Sequence, residues 1–143
     1  MVRAASLFLA SLVAMAAALL PAEAADMVRV SPDQPNVCAS DQVLSRISHR
    51  FRYQVRHVPH LPQVDIQDFY EVRESHYTPR SEDHPIERRY CQATAALSNG
   101  QSRTVWYLVE RPMGFVGFGS NVEFCVSGFD RWNVYGGRCR VLW

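Results

Sequence analysis

The stretch that decides the fold runs from Arg88 to Arg111, RRYCQATAALSNGQSRTVWYLVER. Two alternating runs flank Asn99-Gly100, a dipeptide that readily adopts the positive φ angles of a tight hairpin turn. A two-residue turn there sets Arg89 opposite Glu110, Cys91 opposite Leu108, Ala93 opposite Trp106, Ala95 opposite Thr104 and Leu97 opposite Ser102. Side chains alternate along a strand, so these pairs share one face. On that face small Ala93 and Ala95 leave room for the Trp106 indole, and the Arg89/Glu110 pair closes the far end. The opposite face carries Tyr90, Gln92, Thr94, Val105, Tyr107 and Val109, and reads as half polar and wetted.

The chain begins MVRAASLFLASLVAMAAALLPAEA, residues 1–24. One charge at Arg3, an apolar run from Ala4 to Leu20 and a small-x-small site at Ala22-Glu23-Ala24 read as a secretory signal peptide cleaved near Ala24. The run leads into Pro21 rather than a charged flank, so no transmembrane segment is expected in the mature chain. The expected localisation is periplasmic or secreted. Residues 25–37, with Pro32 and Pro35, read as an extended lead-in to a single domain over 38–143.

Composition narrows the function classes. The net charge of +1 gives no global field for nucleic acid, and no nucleic-acid partner is expected. All 15 basic residues are Arg, which excludes Schiff-base chemistry on a Lys side chain. The four cysteines, Cys38, Cys91, Cys125 and Cys139, are even in number and follow a signal peptide, so they read as two structural disulfides. Of the three pairings, Cys38–Cys91 with Cys125–Cys139 is preferred. The first ties the chain before the helix to the hairpin, and the second closes the C-terminal return.

Ser40 reads as the N-cap of a helix with Asp41 in its first turn, running to about Val58 and stopped by Pro59. Val43, Leu44, Ile47, Phe51, Val55 and Val58 fall on one arc, as a helix lying across a sheet requires. The remaining surface carries Arg46, His49, Arg50, Arg52, Tyr53, Arg56 and His57, the one dense basic patch. Charge on an outward helical face is ordinary, and the patch is also a contact candidate for an anionic partner. A strand follows at Phe69–Tyr77 with Tyr70 and Val72 on one face, and another at Val122–Gly128 with Val122, Phe124 and Val126 on one face. Arg138–Trp143 is a candidate last strand.

Motifs that carry chemistry are weak. His57 and His60 lack a third ligand at a metal-site spacing. Ser81, Asp83 and His84 are too close in sequence to build a triad, which draws on distant segments. Gly114, Gly117 and Gly119 precede a strand, so no helix N-terminus waits to receive a phosphate. That glycine loop presents Phe115 and Phe118, either to a partner or to the core. No cofactor, metal or catalytic residue is assigned.

One helix followed by antiparallel strands predicts an α+β domain. Its expected form is one N-terminal amphipathic helix packed on a curved antiparallel sheet of four to five strands, with two disulfides. In layout this resembles the cystatin-like and NTF2-like folds, whose sheet wraps an N-terminal helix. The hairpin tip Ser98-Asn99-Gly100-Gln101 departs from the cystatin Gln-x-Val-x-Gly turn, so protease inhibition is not implied. The chain also resembles the uncharacterised small periplasmic two-disulfide proteins of Gram-negative bacteria, a likeness that implies no activity. The leading expectation is a non-enzymatic binding or accessory protein that recognises an envelope protein or glycan. Its contact candidates are Arg46, Arg50, Tyr53, His57, Tyr90, Tyr107, Phe115 and Phe118. The alternatives are a small-molecule pocket between helix and sheet, and an enzyme using His76 or His84 with an acid.

Overall fold

A computed structural model describes residues 36–113 and 119–143. The expected signal peptide, most of the expected lead-in, and Phe115 and Phe118 lie outside the described residues. A short 3-10 turn at Val37–Ala39 leads into helix α1, Asp41–His57. Four antiparallel strands follow, β1 (Ile66–Thr78), β2 (Glu87–Leu97), β3 (Ser102–Arg111) and β4 (Asn121–Val126), in the spatial order β1-β2-β3-β4. The sheet is open, with β1 and β4 as its edges.

Helix α1 starts after Ser40, whose backbone carbonyl receives the N–H groups of Val43 and Leu44 while its hydroxyl makes no cap bond. Asp41 sits in the first turn and Arg56 and His57 in the last, each favourable to the helix dipole. The apolar arc faces the sheet: Val43, Ile47, Phe51 and Val55 are buried, with Leu44 packed beside them. They share one core cluster with Ile66 of β1, Ala93, Ala95 and Leu97 of β2, Val105 and Val109 of β3, and Val122 and Val126 of β4. Sequestering a side chain the size of Phe51 stabilises by about 1.5–3 kcal/mol, so this arc fixes the helix on the sheet.

The hairpin register differs by one residue from the two-residue expectation. Gly100 N–H donates to Leu97 O at 2.9 Å and Leu97 N–H donates to Gln101 O at 2.8 Å, so the loop holds three residues, Ser98, Asn99 and Gly100. Gly100 takes φ +78°, a conformation in which a side chain is strained. Arg88 now faces Glu110, Cys91 faces Tyr107 and Ala93 faces Val105. A one-residue slip exchanges the faces of the whole strand. On β3, Val105, Tyr107 and Val109 therefore point into the core, and Trp106 and Leu108 point away from it. The expected Arg89/Glu110 pair is replaced by three. Arg88 Nε donates to Glu110 at 3.0 Å, while buried Arg89 bridges Glu74 at 2.8 Å and Glu87 at 2.9 Å beneath the Tyr77 ring.

On β1 the expected alternation also breaks. Tyr70 pairs with Thr94 but Arg73 with Gln92, so β1 holds one extra residue, and Glu71 takes φ +52° at the bulge. Tyr70 is consequently exposed while Val72 packs against the core. β4 keeps its expected faces, Val122, Phe124 and Val126 inward and Cys125 outward. Among the described residues no fifth strand forms. Gly136, Gly137, Arg138 and Cys139 all have φ between +56° and +74°, which coils the chain instead of extending it. A 3-10 turn at Arg140–Leu142 follows. This C-terminal segment covers the outer sheet face, where Leu142 and Cys139 pack on Leu108 and Cys125 with Tyr90, Trp106 and Tyr135 around them.

Both disulfides form in the preferred pairing, Cys38–Cys91 and Cys125–Cys139. Two disulfides fit an oxidising, extracytoplasmic compartment. Among the described residues no helix is long and apolar enough to cross a membrane.

Candidate functional site

Three side chains one helical turn apart, Arg46, Arg50 and Gln54, form a row along α1. Each donates to a backbone carbonyl in β4 or in the residues flanking it. Arg46 reaches Ser120 O at 2.7 Å, Arg50 reaches Val122 O at 2.7 Å and Gln54 reaches Phe129 O at 3.0 Å. Val122 O is an edge carbonyl of β4 and Ser120 O belongs to the residue just before it, so the first two donors cover acceptors that would otherwise await a partner strand. This row is a seam between helix and sheet edge, and the basic patch is in part consumed by it. Arg52, on another side of the helix, pairs with Asp65 at 2.8 Å.

Below the seam the helix and the C-terminal segment diverge and leave a pocket of about 280 Å³. Arg50, Gln54 and Val58 line it from α1, Phe124, Cys125 and Val126 from β4, and Phe129, Asp130, Arg131, Trp132, Val134 and Tyr135 from the segment beyond. Phe129 is buried against Phe51, ring centroids 4.9 Å apart, and anchors one wall. Asp130 shapes another. Its two carboxylate oxygens accept the N–H groups of Val134 at 2.8 Å and Tyr135 at 3.0 Å. This turn is completed by Asn133 at φ +54°, a conformation Asn tolerates. Trp132 and Val134 are thereby held outward, 62% and 68% exposed, at the rim.

The polar groups of the pocket are few and convergent. Burial raises the Tyr135 phenol pKa, as do the charges of Glu123 and Asp130, while Arg50 partly opposes them, so the phenol stays a neutral donor. Among the described residues no carboxylate lies within ion-pair distance of Arg50, unlike Arg52, Arg88 and Arg89. Two guanidinium groups, Arg50 and Arg131, with a phenol, an amide and the turn-bound Asp130 carboxylate on apolar walls are equipped to bind and orient a ligand.

A second, shallower hollow of about 250 Å³ lies on the outer sheet face, lined by Ser75, Gln92, Trp106 and Trp143. The two indoles stand 5.7 Å apart and 31° from parallel, with Trp143 Nε1 donating to Arg138 O at 3.2 Å.

The remaining candidates fall in separate places. Tyr107 is fully buried and its phenol donates to Cys38 O at 2.8 Å, so it meets no partner; the register slip moved it inward. Tyr90 is half-buried on the outer face beside His76. Tyr53 and His57 stack on each other at 3.8 Å on the helix surface. Among the described contact candidates, only Arg50 lines the larger pocket. His76 Nε2 meets Thr78 Oγ1 at 3.3 Å, and the Ser81 hydroxyl accepts the backbone N–H of His84. Among the described residues no carboxylate pairs with either imidazole, and no three metal-ligating side chains converge.

Sequence reasoning missed Phe129, Asp130, Trp132, Val134 and Tyr135. The available signal was the run FDRWNVYGG, in which an Asp precedes two rim residues and a Gly pair. No protein-family model, curated protein or solved structure matches this chain.

Proposed function

We propose that the chain is a secreted or periplasmic, non-enzymatic binding protein that takes an apolar group of an envelope component into the pocket between α1, β4 and the Phe129–Tyr135 segment. The apolar leader before Ala24 and the two disulfides support the compartment. The observation that carries the site is the convergence of Trp132, Val134 and Phe124 with Arg50 and Tyr135 around one hollow. Its volume is close to the lower bound for small-ligand sites, about 300 Å³, which suits a single ring or side chain. Asp130 holds the rim in its open shape beforehand, so little ordering cost falls on binding.

The test is titration with the neutral apolar dye N-phenyl-1-naphthylamine, read by its fluorescence. Saturable one-site binding is expected, weakened about tenfold or more by Trp132→Ala with Val134→Ser, because truncating an aromatic anchor costs on the order of 2 kcal/mol. The urea midpoint should hold, since both residues are exposed. Absent binding, or binding undiminished by the pair of substitutions, overturns the site.

The Trp106/Trp143 hollow favours a second reading, a glycan stacked on the exposed Trp143 ring beside the Gln92 amide. Trp143→Ala should then abolish retention on peptidoglycan-derived oligosaccharides and leave dye binding intact. Unchanged retention removes that reading.

A further inference from the structure

We infer that the pocket selects its ligand by a carboxylate, and that Arg50 is the residue that reads it. This rests on the pocket reading above and names the chemistry of what enters.

Arg50 is positioned for the task by a neutral group. Its Nη1 donates to Val122 O at 2.7 Å, which fixes the guanidinium at the pocket rim without neutralising it. The planar fork keeps further N–H donors in a geometry that matches a carboxylate. Among the described residues neither Arg50 nor Arg131, the other cation lining the pocket, has a carboxylate within ion-pair distance, but only Arg50 is held in place by a hydrogen bond. Asp130, the acid lining the same pocket, has both oxygens occupied by backbone N–H groups of its own turn. The Tyr135 phenol, kept protonated, offers a second donor to an anion. An arriving carboxylate thus meets a pre-placed cation and a donor above apolar walls.

The backbone adds a preference for a chain terminus as the source. Along β4 the outward-facing residues alternate, and Val122 is one of them because its carbonyl points to Arg50 rather than to β3. Phe124 is the next, and it lines the same pocket. An extended peptide lying antiparallel to β4 would pair with Phe124 and bring its terminal carboxylate toward Arg50, its apolar side chain entering the hollow. A free apolar acid has the same carboxylate but lacks that pairing.

The experiment compares three ligands on the disulfide-intact chain by competition with the dye: acetyl-Gly-Ala-Phe as the free acid, the same peptide as its C-terminal amide, and acetyl-Phe. Wild type should bind the acid at least tenfold more tightly than the amide, and Arg50→Gln should bring the two within about twofold. Gln removes the charge while keeping a polar side chain, and the acid-to-amide ratio is internal to each variant, so loss of fold does not mimic the result. A tripeptide acid tighter than acetyl-Phe identifies a chain terminus as the source, and equal affinities identify a free apolar acid. Equal affinity of acid and amide in wild type, with the dye still bound, overturns the carboxylate assignment and leaves the apolar pocket standing. Failure of the dye itself to bind overturns both.

Discussion

The phenol of Tyr107 donates a hydrogen bond to the backbone carbonyl of Cys38 across 2.8 Å, joining the middle of β3 to the turn before the helix. Both residues are fully buried, and Cys38 is also bonded to Cys91, the β2 residue that faces Tyr107. A covalent bond and a buried hydrogen bond therefore fix the same point, where the helix N-terminus meets the sheet.

Tyr107→Phe keeps the ring and removes the donor, leaving the Cys38 carbonyl buried without it. A stranded buried acceptor costs about 1–3 kcal/mol. The unfolding free energy from urea denaturation should fall by that amount, lowering the midpoint with the slope unchanged. A neutral substitution would mean that solvent reaches the carbonyl.

Alkaline pH should probe the same phenol. Burial raises the Tyr107 pKa well above the ordinary tyrosine value near 10. The unfolded chain releases this proton first as pH rises, so the stability is complete below about pH 10 and is lost above it. One such group costs about 1.4 kcal/mol per pH unit. Urea midpoints at pH 8 and pH 11 should diverge more for wild type than for Tyr107→Phe, since Tyr135, raised in the same direction, contributes equally to both. Equal divergence would show that Tyr107 titrates normally.

The two disulfides should not be equivalent. Cys38–Cys91 spans 53 residues and Cys125–Cys139 spans 14. Loop entropy makes their removal worth about 4 and about 3 kcal/mol respectively, with the longer closure costing more. The Cys125/Cys139 double Ala variant should still fold but lose dye binding, because Cys125 lines the pocket and the bridge anchors the segment that walls it. The Cys38/Cys91 variant should lose more stability. Reversed order in chemical denaturation would contradict this account.

Arg46 is expected to protect the β4 edge. Arg46→Ala removes the donor on Ser120 O, so β4 should open locally about tenfold more often while the central β2 amides keep their protection. Native-state hydrogen exchange measures this directly. Uniform loss across the sheet would instead indicate global destabilisation.

What the sequence revealed and what it concealed have physical reasons. The arc Val43, Ile47, Phe51 and Val55 marks the helix because only the 3.6-residue period puts those four on one side. The inward faces of β2 and β4 were equally legible from alternation. β3 was not, because Asn99-Gly100 serves both two- and three-residue loops, and the choice between them turns Tyr107 and Trp106 around. The Tyr70/Val72 error has a similar cause, since a bulge at Glu71 leaves no compositional mark. The C-terminal RCRVLW run alternates like a strand, yet four successive left-handed residues beginning at Gly136 deny it an extended backbone. The pocket was the least visible feature. Arg50 and Gln54 meet Phe129 to Tyr135 only after the sheet has formed, and no local period connects segments so far apart.

The most direct test of the account is native mass spectrometry of the chain recovered, unreduced, from the cells that make it. The pocket account predicts a bound mass carrying an apolar group and a carboxylate, retained by wild type and lost from both Trp132→Ala and Arg50→Gln. A bare chain, or a bound mass that survives both substitutions, would contradict it.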